Sequence, residues 1–312
     1  GGKNHTTFKI GAEYTYDANK GDGLTFDMAN PPQAMGAQRL RPRAFKSIPA
    51  LNTLSGFLSD KLSLSVGTTR AAIEAGLRIS NLFLDANKSG GNSGMLVAEP
   101  RVNTTVSLLN KRNNSFFDDL SLTGGFGLSN KMPTLLYLYP DNVYYDNVSL
   151  SKYGDNAKDR LALLTTDVIS NTTNPNLRPA HSRKWEAGLS FRKGRVRGFI
   201  TYFNECHTHE FGFSSQLYWA NYTQFNVPSS ATDPIFDAST GNVTYTYNNE
   251  RLTAQKTLKT DMLTWYRPTN NSRSLKHGIE YGLDFGTFKP LRTSLSINGA
   301  WFHIARTEEG TS

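Results

Sequence analysis

Cys206, His207, Thr208, His209 and Glu210 bring a thiol, two imidazoles and a carboxylate into one short run, the side chains that zinc and copper prefer. On an extended strand alternate residues share a face, so His207 and His209 point the same way and could share an ion, with Glu210 or Cys206 beside it. Two ligands do not make a site, and the run lies where a strand enters a long connection. No metal and no cofactor is therefore expected. Glu74, Arg78, Glu186, Arg192, Glu280 and Asp284 are the other reactive groups, and all fall on the polar parity of apparent strands. A carboxylate pair of the kind that hydrolyses glycosides needs a defined separation. Nothing in the sequence brings two of these together, and the chain is not expected to be an enzyme.

Aromatic side chains in two long connections are the remaining candidates for binding. Tyr137, Tyr139, Tyr144, Tyr145 and Tyr153 occupy the first, and Tyr218, Trp219, Tyr222 and Phe225 the second. Such rings stack on sugar rings and planar ligands, or pack loops against each other. Tyr137, Tyr139, Tyr144, Tyr145, Tyr218 and Trp219 are taken as candidate ligand contacts. The sequence has no Gly-x-Ser-x-Gly elbow, no phosphate-binding Gly-x-x-x-x-Gly-Lys loop and no Cys-x-x-Cys pair. Gly124-Gly125-Phe126-Gly127 lies inside a strand pattern and reads as tight packing rather than a nucleotide loop.

The elements that must position these residues are strands. Trp185, Ala187, Leu189 and Phe191 alternate with Glu186, Gly188 and Ser190. The pattern returns at Ile73/Ala75/Leu77/Ile79 against Glu74/Gly76/Arg78/Ser80, and at Ile279/Tyr281/Leu283/Phe285 against Glu280/Gly282/Asp284/Gly286. Each strand has one greasy and one wet face. The 312 residues include 26 Gly, 14 Tyr and 18 Phe, with 38% hydrophobic residues, a composition that suits an all-β chain. A mean hydropathy of −0.47 is compatible with a transmembrane barrel, which turns half of every strand toward a polar interior. No apolar run approaches the roughly 20 residues of a spanning helix. The formal charge of +8 is scattered, with no basic stripe interleaved with aromatics, so no nucleic-acid partner is expected. It could suit an anionic partner such as lipopolysaccharide phosphates. A single cysteine, Cys206, excludes an internal disulfide.

Strands are expected at residues 8–17, 51–64, 71–82, 101–109, 120–129, 182–192, 197–205, 275–288 and 293–304, about nine in all. Tight turns are expected at 66–69, 110–115, 193–194 and 289–290. They alternate with long connections at 18–49, 85–99, 130–181 and 206–273, the first holding Pro31 and Pro32, the third a helical patch near 158–164. Short turns on one rim and long loops on the other is the layout of an outer-membrane barrel. The expected fold is thus an antiparallel up-and-down transmembrane β-barrel, present as a fragment of about nine strands of a larger barrel. Both ends of the chain read as internal cuts, because an odd, unclosed set of strands would leave bare edges in hydrocarbon.

Asn174-Pro175-Asn176-Leu177-Arg178-Pro179, followed by Lys184-Trp185-Glu186-Ala187-Gly188-Leu189, resembles the signature of TonB-dependent outer-membrane receptors. Its carriers here are Asn174, Pro175, Leu177, Pro179, Glu186 and Gly188. Ala75-Gly76-Leu77-Arg78, Pro100-Arg101 and Gly124 to Thr134 fall in the order that the family shows, and the resemblance covers roughly residues 8–306. The run from Lys131 to Asp141 looks most like receptors of Bacteroidetes-type bacteria. The two prolines hold the approach extended and deliver the chain straight into the next strand.

The resemblance implies residues 1–312 as partial receptor barrel in a Gram-negative outer membrane, with no plug domain and no TonB box, and a parent barrel of about 22 strands. It implies import of a scarce nutrient, whether siderophore, oligosaccharide or peptide, without bond-making chemistry. The expected partners are outer-membrane lipid, the TonB complex through the missing plug region, the nutrient, and a surface lipoprotein. A passive porin, a barrel-borne adhesin and a soluble carbohydrate-binding β-sandwich are the alternatives. The sandwich would stack its strands face to face around a dry interior.

Overall fold

In the computed structural model, residues 4–28, 41–67, 69–110 and 116–309 are described. Pro31, Pro32, Thr68 and the body of the expected 110–115 turn lie outside them. Fourteen strands run β1 (His5–Asp17), β2 (Leu51–Val66), β3 (Thr69–Phe83), β4 (Gly94–Asn110), β5 (Asp119–Lys131), β6 (Val143–Lys152), β7 (Leu161–Ile169), β8 (Ala180–Lys193), β9 (Val196–Asn226), β10 (Thr232–Asp237), β11 (Asn242–Tyr247), β12 (Glu250–Thr253), β13 (Gln255–Phe288) and β14 (Thr293–Glu308). A one-turn helix, α1 (Leu135–Leu138), follows β5. Among the described residues no helix is long and apolar enough to cross a membrane.

Nine strands form one sheet in the order β1-β2-β3-β4-β5-β8-β9-β13-β14, every neighbour antiparallel. The nine segments expected from alternation are these nine strands. Register carries the parity across the whole wall. One ladder row runs Leu62, Ile73, Thr104, Gly124, Ala187, Tyr202, Ile279, Trp301, and the next toward the short-turn rim joins Leu122, Leu189, Ile200 and Tyr281. Glu74, Arg78, Glu186, Arg192, Glu280 and Asp284 all project from the opposite face, as their spacing requires. Among the described residues neither face of this sheet is covered by a second sheet of comparable size, so they do not build the face-to-face sandwich. β1 pairs only with β2 and β14 only with β13, so the wall is an open arc among the described residues.

The apolar face stays bare. Leu122, Ile200, Trp185 and Tyr281 are 41–48% exposed although they sit mid-sheet. The polar face pairs its own charges, with Arg78 to Glu13 at 2.8 Å and Lys184 to Glu186 at 2.9 Å. That face also carries Phe57 and Phe199, each lying over a glycine of the neighbouring strand. Gly11 pairs with Phe57, and a Cβ there would sit 2.5 Å from the ring; Gly282 is crowded by Phe199 in the same way. Gly188 packs between Thr123 and Thr201, where a Cβ would meet their hydroxyls at 2.6 and 2.8 Å.

The dry clusters sit at the rim with long connections, one of them on the last rungs of β3 and β4. Leu82, Met95, Leu138, Tyr139 and Leu177 form one, and Leu150, Phe225, Ala231, Val243, Tyr245 and Ala254 the other. At the opposite rim the turns are tight. Lys193 pairs with Val196 across Gly194-Arg195, Gly194 takes φ +55° as such a hairpin requires, and its N–H donates to Asp118 Oδ2 at 2.5 Å.

Two expectations about the connections fail. The 206–273 connection is mostly strand: β9 and β13 stay paired from Asn226/Gln255 down to the wall, a two-stranded arm reaching roughly 60 Å past the end of β8. Pro268 and the polar Asn-Tyr-Thr-Gln run obscured it, because proline argues against a strand. Pro268 is tolerated here beside a pair of bulges, between Thr269/Ser272 and Ser272/Ser274. In the 130–181 connection the helix is at Leu135–Leu138, and residues 161–164 of the expected helical patch belong to strand β7, preceded by a single 3-10 turn at Ala157–Asp159.

Candidate functional site

The polar face of the wall meets the loops in a pocket of about 450 Å³ at the long-connection rim. β5 brings Ser129 and Lys131, β8 brings Ser182, β9 brings Glu205, His207, Glu210 and Phe211, and β14 brings Arg306, while α1 lowers Tyr137 over them. A volume of this size suits a small ligand. The Tyr137 ring packs 5.0 Å from Phe211 and 5.3 Å from Phe213, making an aromatic wall above a polar floor.

The floor is partly wired. His207 Nε2 lies 3.3 Å from Glu205 Oε1, which also accepts the Ser182 hydroxyl at 3.2 Å. Arg306 Nε donates to Ser272 Oγ at 2.9 Å. Glu210 Oε2 and His209 Nδ1 are buried without a hydrogen-bond partner among the described residues. A buried carboxylate oxygen left unpaired is costly, so its presence in a pocket wall marks a position that a further donor would complete.

The metal arrangement of His207 and His209 does not form. His209 sits in the bulge with φ +58°, which inserts an extra residue and breaks the alternation that would have aligned the two rings. His207 and Glu210 consequently both face the pocket, while the His209 ring meets the edge of His181, with centroids 5.6 Å apart. Cys206 is buried on the opposite parity. No cluster of three or more metal-ligating side chains exists among the described residues.

The six candidate aromatics separate. Tyr137 lines the pocket. Tyr139 is 4% exposed within the Leu82/Leu177 cluster, where burial pushes its hydroxyl pKa up. Tyr145 is also 4% exposed, stacks on Tyr218 at 6.2 Å and donates to the Thr264 carbonyl. Packing therefore consumes Tyr139 and Tyr145, and one ring face of Tyr218. Tyr144 carries the Arg41 guanidinium 4.9 Å above its ring, and Trp219 is exposed on the arm, away from Tyr137.

The signature residues hold the loop to the wall. Asn174 Oδ1 accepts the Asn176 N–H at 3.0 Å, its Nδ2 donates to the Pro268 carbonyl at 2.9 Å, and Leu177 is buried. Pro179 precedes β8 directly; Glu186 and Gly188 lie on the polar face. Asn270, inside the bulged stretch of β13, accepts the Arg178 N–H and donates to the carbonyls of Arg178 and His209 at 2.9 and 2.7 Å. Asn270, Phe211, Glu205 and Arg306 were not legible as site residues; the Pro268-Thr-Asn-Asn run was the available sign of a bulge.

Farther out, Asp159 ties the connection to the arm's cap. It accepts the Asp233 N–H at 2.9 Å and the Asn156 amide at 3.2 Å, contacts that hold its carboxyl below the usual range. A depressed pKa contributes stability above the unfolded value near 3.9 and loses it as pH falls through the folded value. The protection factor of the Asp233 amide, its exchange rate relative to an unstructured amide at the same pH, should therefore fall below pH ~4 in the native protein, and Asp159→Asn should remove that acid step.

A family description for TonB dependent receptor-like β-barrels matches residues 1–232. Two solved structures are similar at low identity: the siderophore receptor PirA from Acinetobacter baumannii, 11% identical with a TM-score of 0.32 over 91% of this chain, and PirA from Pseudomonas aeruginosa, 13% identical with a TM-score of 0.21 over 81%. The chain spans 40% and 50% of those two structures. No curated protein matches it.

Proposed function

The chain belongs to the TonB-dependent receptor β-barrel family of the Gram-negative outer membrane, and we propose that residues 1–312 form part of the wall and outer loops of a receptor that imports a scarce nutrient. The observation that carries this reading is the pairing of a bare apolar face, continuous over nine strands, with a loop-covered pocket on the face behind it. Open edges at β1 and β14 cannot remain in hydrocarbon, so further strands complete the barrel. The plug that contacts TonB lies outside these residues. Transport needs no bond-making step: the ligand is captured at the outer rim and released when TonB pulls the plug.

Tyr137 and Phe211 supply the stacking surface of the pocket, with His207, Glu210, Lys131 and Arg306 as polar contacts. Aromatic rings above mixed charge fit a siderophore, an oligosaccharide or a peptide. Trp219 and Tyr144 are left as outer contacts. The Bacteroidetes-type character of residues 131–141 and a surface lipoprotein partner belong to the same proposal.

The test is growth of the source bacterium on defined nutrients with the full gene deleted, complemented by wild type or Tyr137→Ala. Deletion should abolish growth on one nutrient class, loss of TonB should do the same, and Tyr137→Ala should lower uptake about tenfold at limiting concentration. Uptake that survives loss of TonB would make the barrel a passive pore.

A further inference from the structure

We infer that the pocket beneath Tyr137 recognises its ligand through an ammonium group held by Glu210, and that the ligand is a short peptide; this rests on reading the pocket as the nutrient site. Glu210 lines the cavity, and its Oε2 is closed off from solvent. Its carboxylate takes part in no hydrogen bond and no ion pair among the described residues. A carboxylate shielded from water and left unpaired is costly, and a cationic donor removes the cost. The other charged groups of the pocket are engaged, with one exception. His207 lies 3.3 Å from Glu205, which also accepts the Ser182 hydroxyl, and Arg306 donates to Ser272 and lies 3.9 Å from Glu308. The exception is Lys131, exposed and without an ion pair among the described residues.

One free anion and one free cation thus line the same cavity. Lys131 pairs with Ala180 of β8, and β8 lies between β5 and β9. The backbones of Lys131 and Glu210 therefore stand two strands apart, about 10 Å. A peptide of two or three residues spans about 7–10 Å and carries an ammonium at one end and a carboxylate at the other. The aromatic wall adds to the ammonium end, because ring faces such as those of Tyr137 and Phe211, 5.0 Å apart, attract a cation. A neutral sugar would leave the charges of Glu210 and Lys131 uncompensated. An acidic siderophore would set a second negative charge beside Glu210, which disfavours both. A cavity of about 450 Å³ lies at the small end of ligand sites, as a short peptide requires.

The full-length protein in detergent would be incubated with a pooled library of tripeptides, with the same library acetylated at every amine, and with maltotriose, and bound species counted by native mass spectrometry. Free-amine peptides should bind, while acetylated peptides and maltotriose should not. Glu210→Gln should weaken peptide binding roughly 10–100-fold, the worth of one charged hydrogen bond. Glu280→Gln, on the same face outside the pocket, should bind as wild type. Amidating the peptides at the carboxyl end should weaken binding and abolish the effect of Lys131→Gln. Equal binding of the acetylated library, binding of maltotriose as tight as that of the peptides, or unchanged affinity in Glu210→Gln overturns the assignment. The acetylation arm leaves the protein untouched, so it decides the matter even where Glu210→Gln fails to assemble. Peptide binding together with uptake that survives loss of TonB would keep this site and overturn the importer. TonB-dependent uptake with indifference to acetylation would do the reverse.

Discussion

Leu189→Arg should prevent the barrel from assembling, while Ser190→Arg, one residue along, should be tolerated. Leu189 pairs with Leu122 and Ile200 in the middle of the bare apolar face. An arginine there must strip its hydration or distort the bilayer, at about 2–4 kcal/mol near the midplane of a barrel. Ser190 lies on the polar parity between Ser121 and Phe199, where an arginine reaches water. Heat-modifiable gel mobility of the full protein in outer membranes reports assembly, and urea unfolding in vesicles reports the energy. If the two variants exchange behaviour, the faces have been assigned the wrong way round.

Leu177→Ala should detach the long connection from the wall without dissolving the wall. Leu177 is 4% exposed and packs with Leu82 and Met95 from the outer ends of β3 and β4 and with Leu138 and Tyr139 of the α1 region. Truncating so enclosed a leucine costs about 2–5 kcal/mol, depending on how far the neighbours relax into the space. That loss falls on a local unit, because the cluster takes in only the last rungs of β3 and β4 and the rest of the wall keeps its pairing. Limited proteolysis should cut within residues 132–179 in the variant and not in wild type, at unchanged gel mobility. Uptake would fall with it, because α1 carries Tyr137 over the pocket. A variant that resists protease as wild type does would show that the Asn174 and Asn270 hydrogen bonds hold the segment without Leu177.

The wall was readable because a strand's side chains repeat every second residue. Trp185, Ala187, Leu189 and Phe191 announce a face whatever the rest of the chain does, and antiparallel pairing then copies that parity to each neighbour. The same rule explains why His207 and His209 misled. Alternation holds only while the count is regular, and one inserted residue in left-handed geometry at His209 cancels it. The bulge exists only against β13, whose Pro268 and Asn270 sit more than fifty positions away, so no local pattern around His209 reports it. The arm of β9 and β13 escaped notice for a related reason: each strand is partly polar, and its stability comes from a partner distant in sequence.

By itself, the order of oily and wet residues determined that the chain makes a two-faced antiparallel wall with tight turns on one rim. It also placed Glu74, Arg78, Glu186, Arg192, Glu280 and Asp284 on the polar face, since both follow from the geometry of an extended backbone. Only the tertiary structure decided which aromatics remain available. Tyr137, Tyr139 and Tyr145 look alike in sequence, yet one lines a pocket while the other two are enclosed by Leu177, Tyr218 and their neighbours. Whether a ring is buried or offered depends on what the chain folds over it from elsewhere, and that is a property of contacts between distant segments, which no local periodicity encodes.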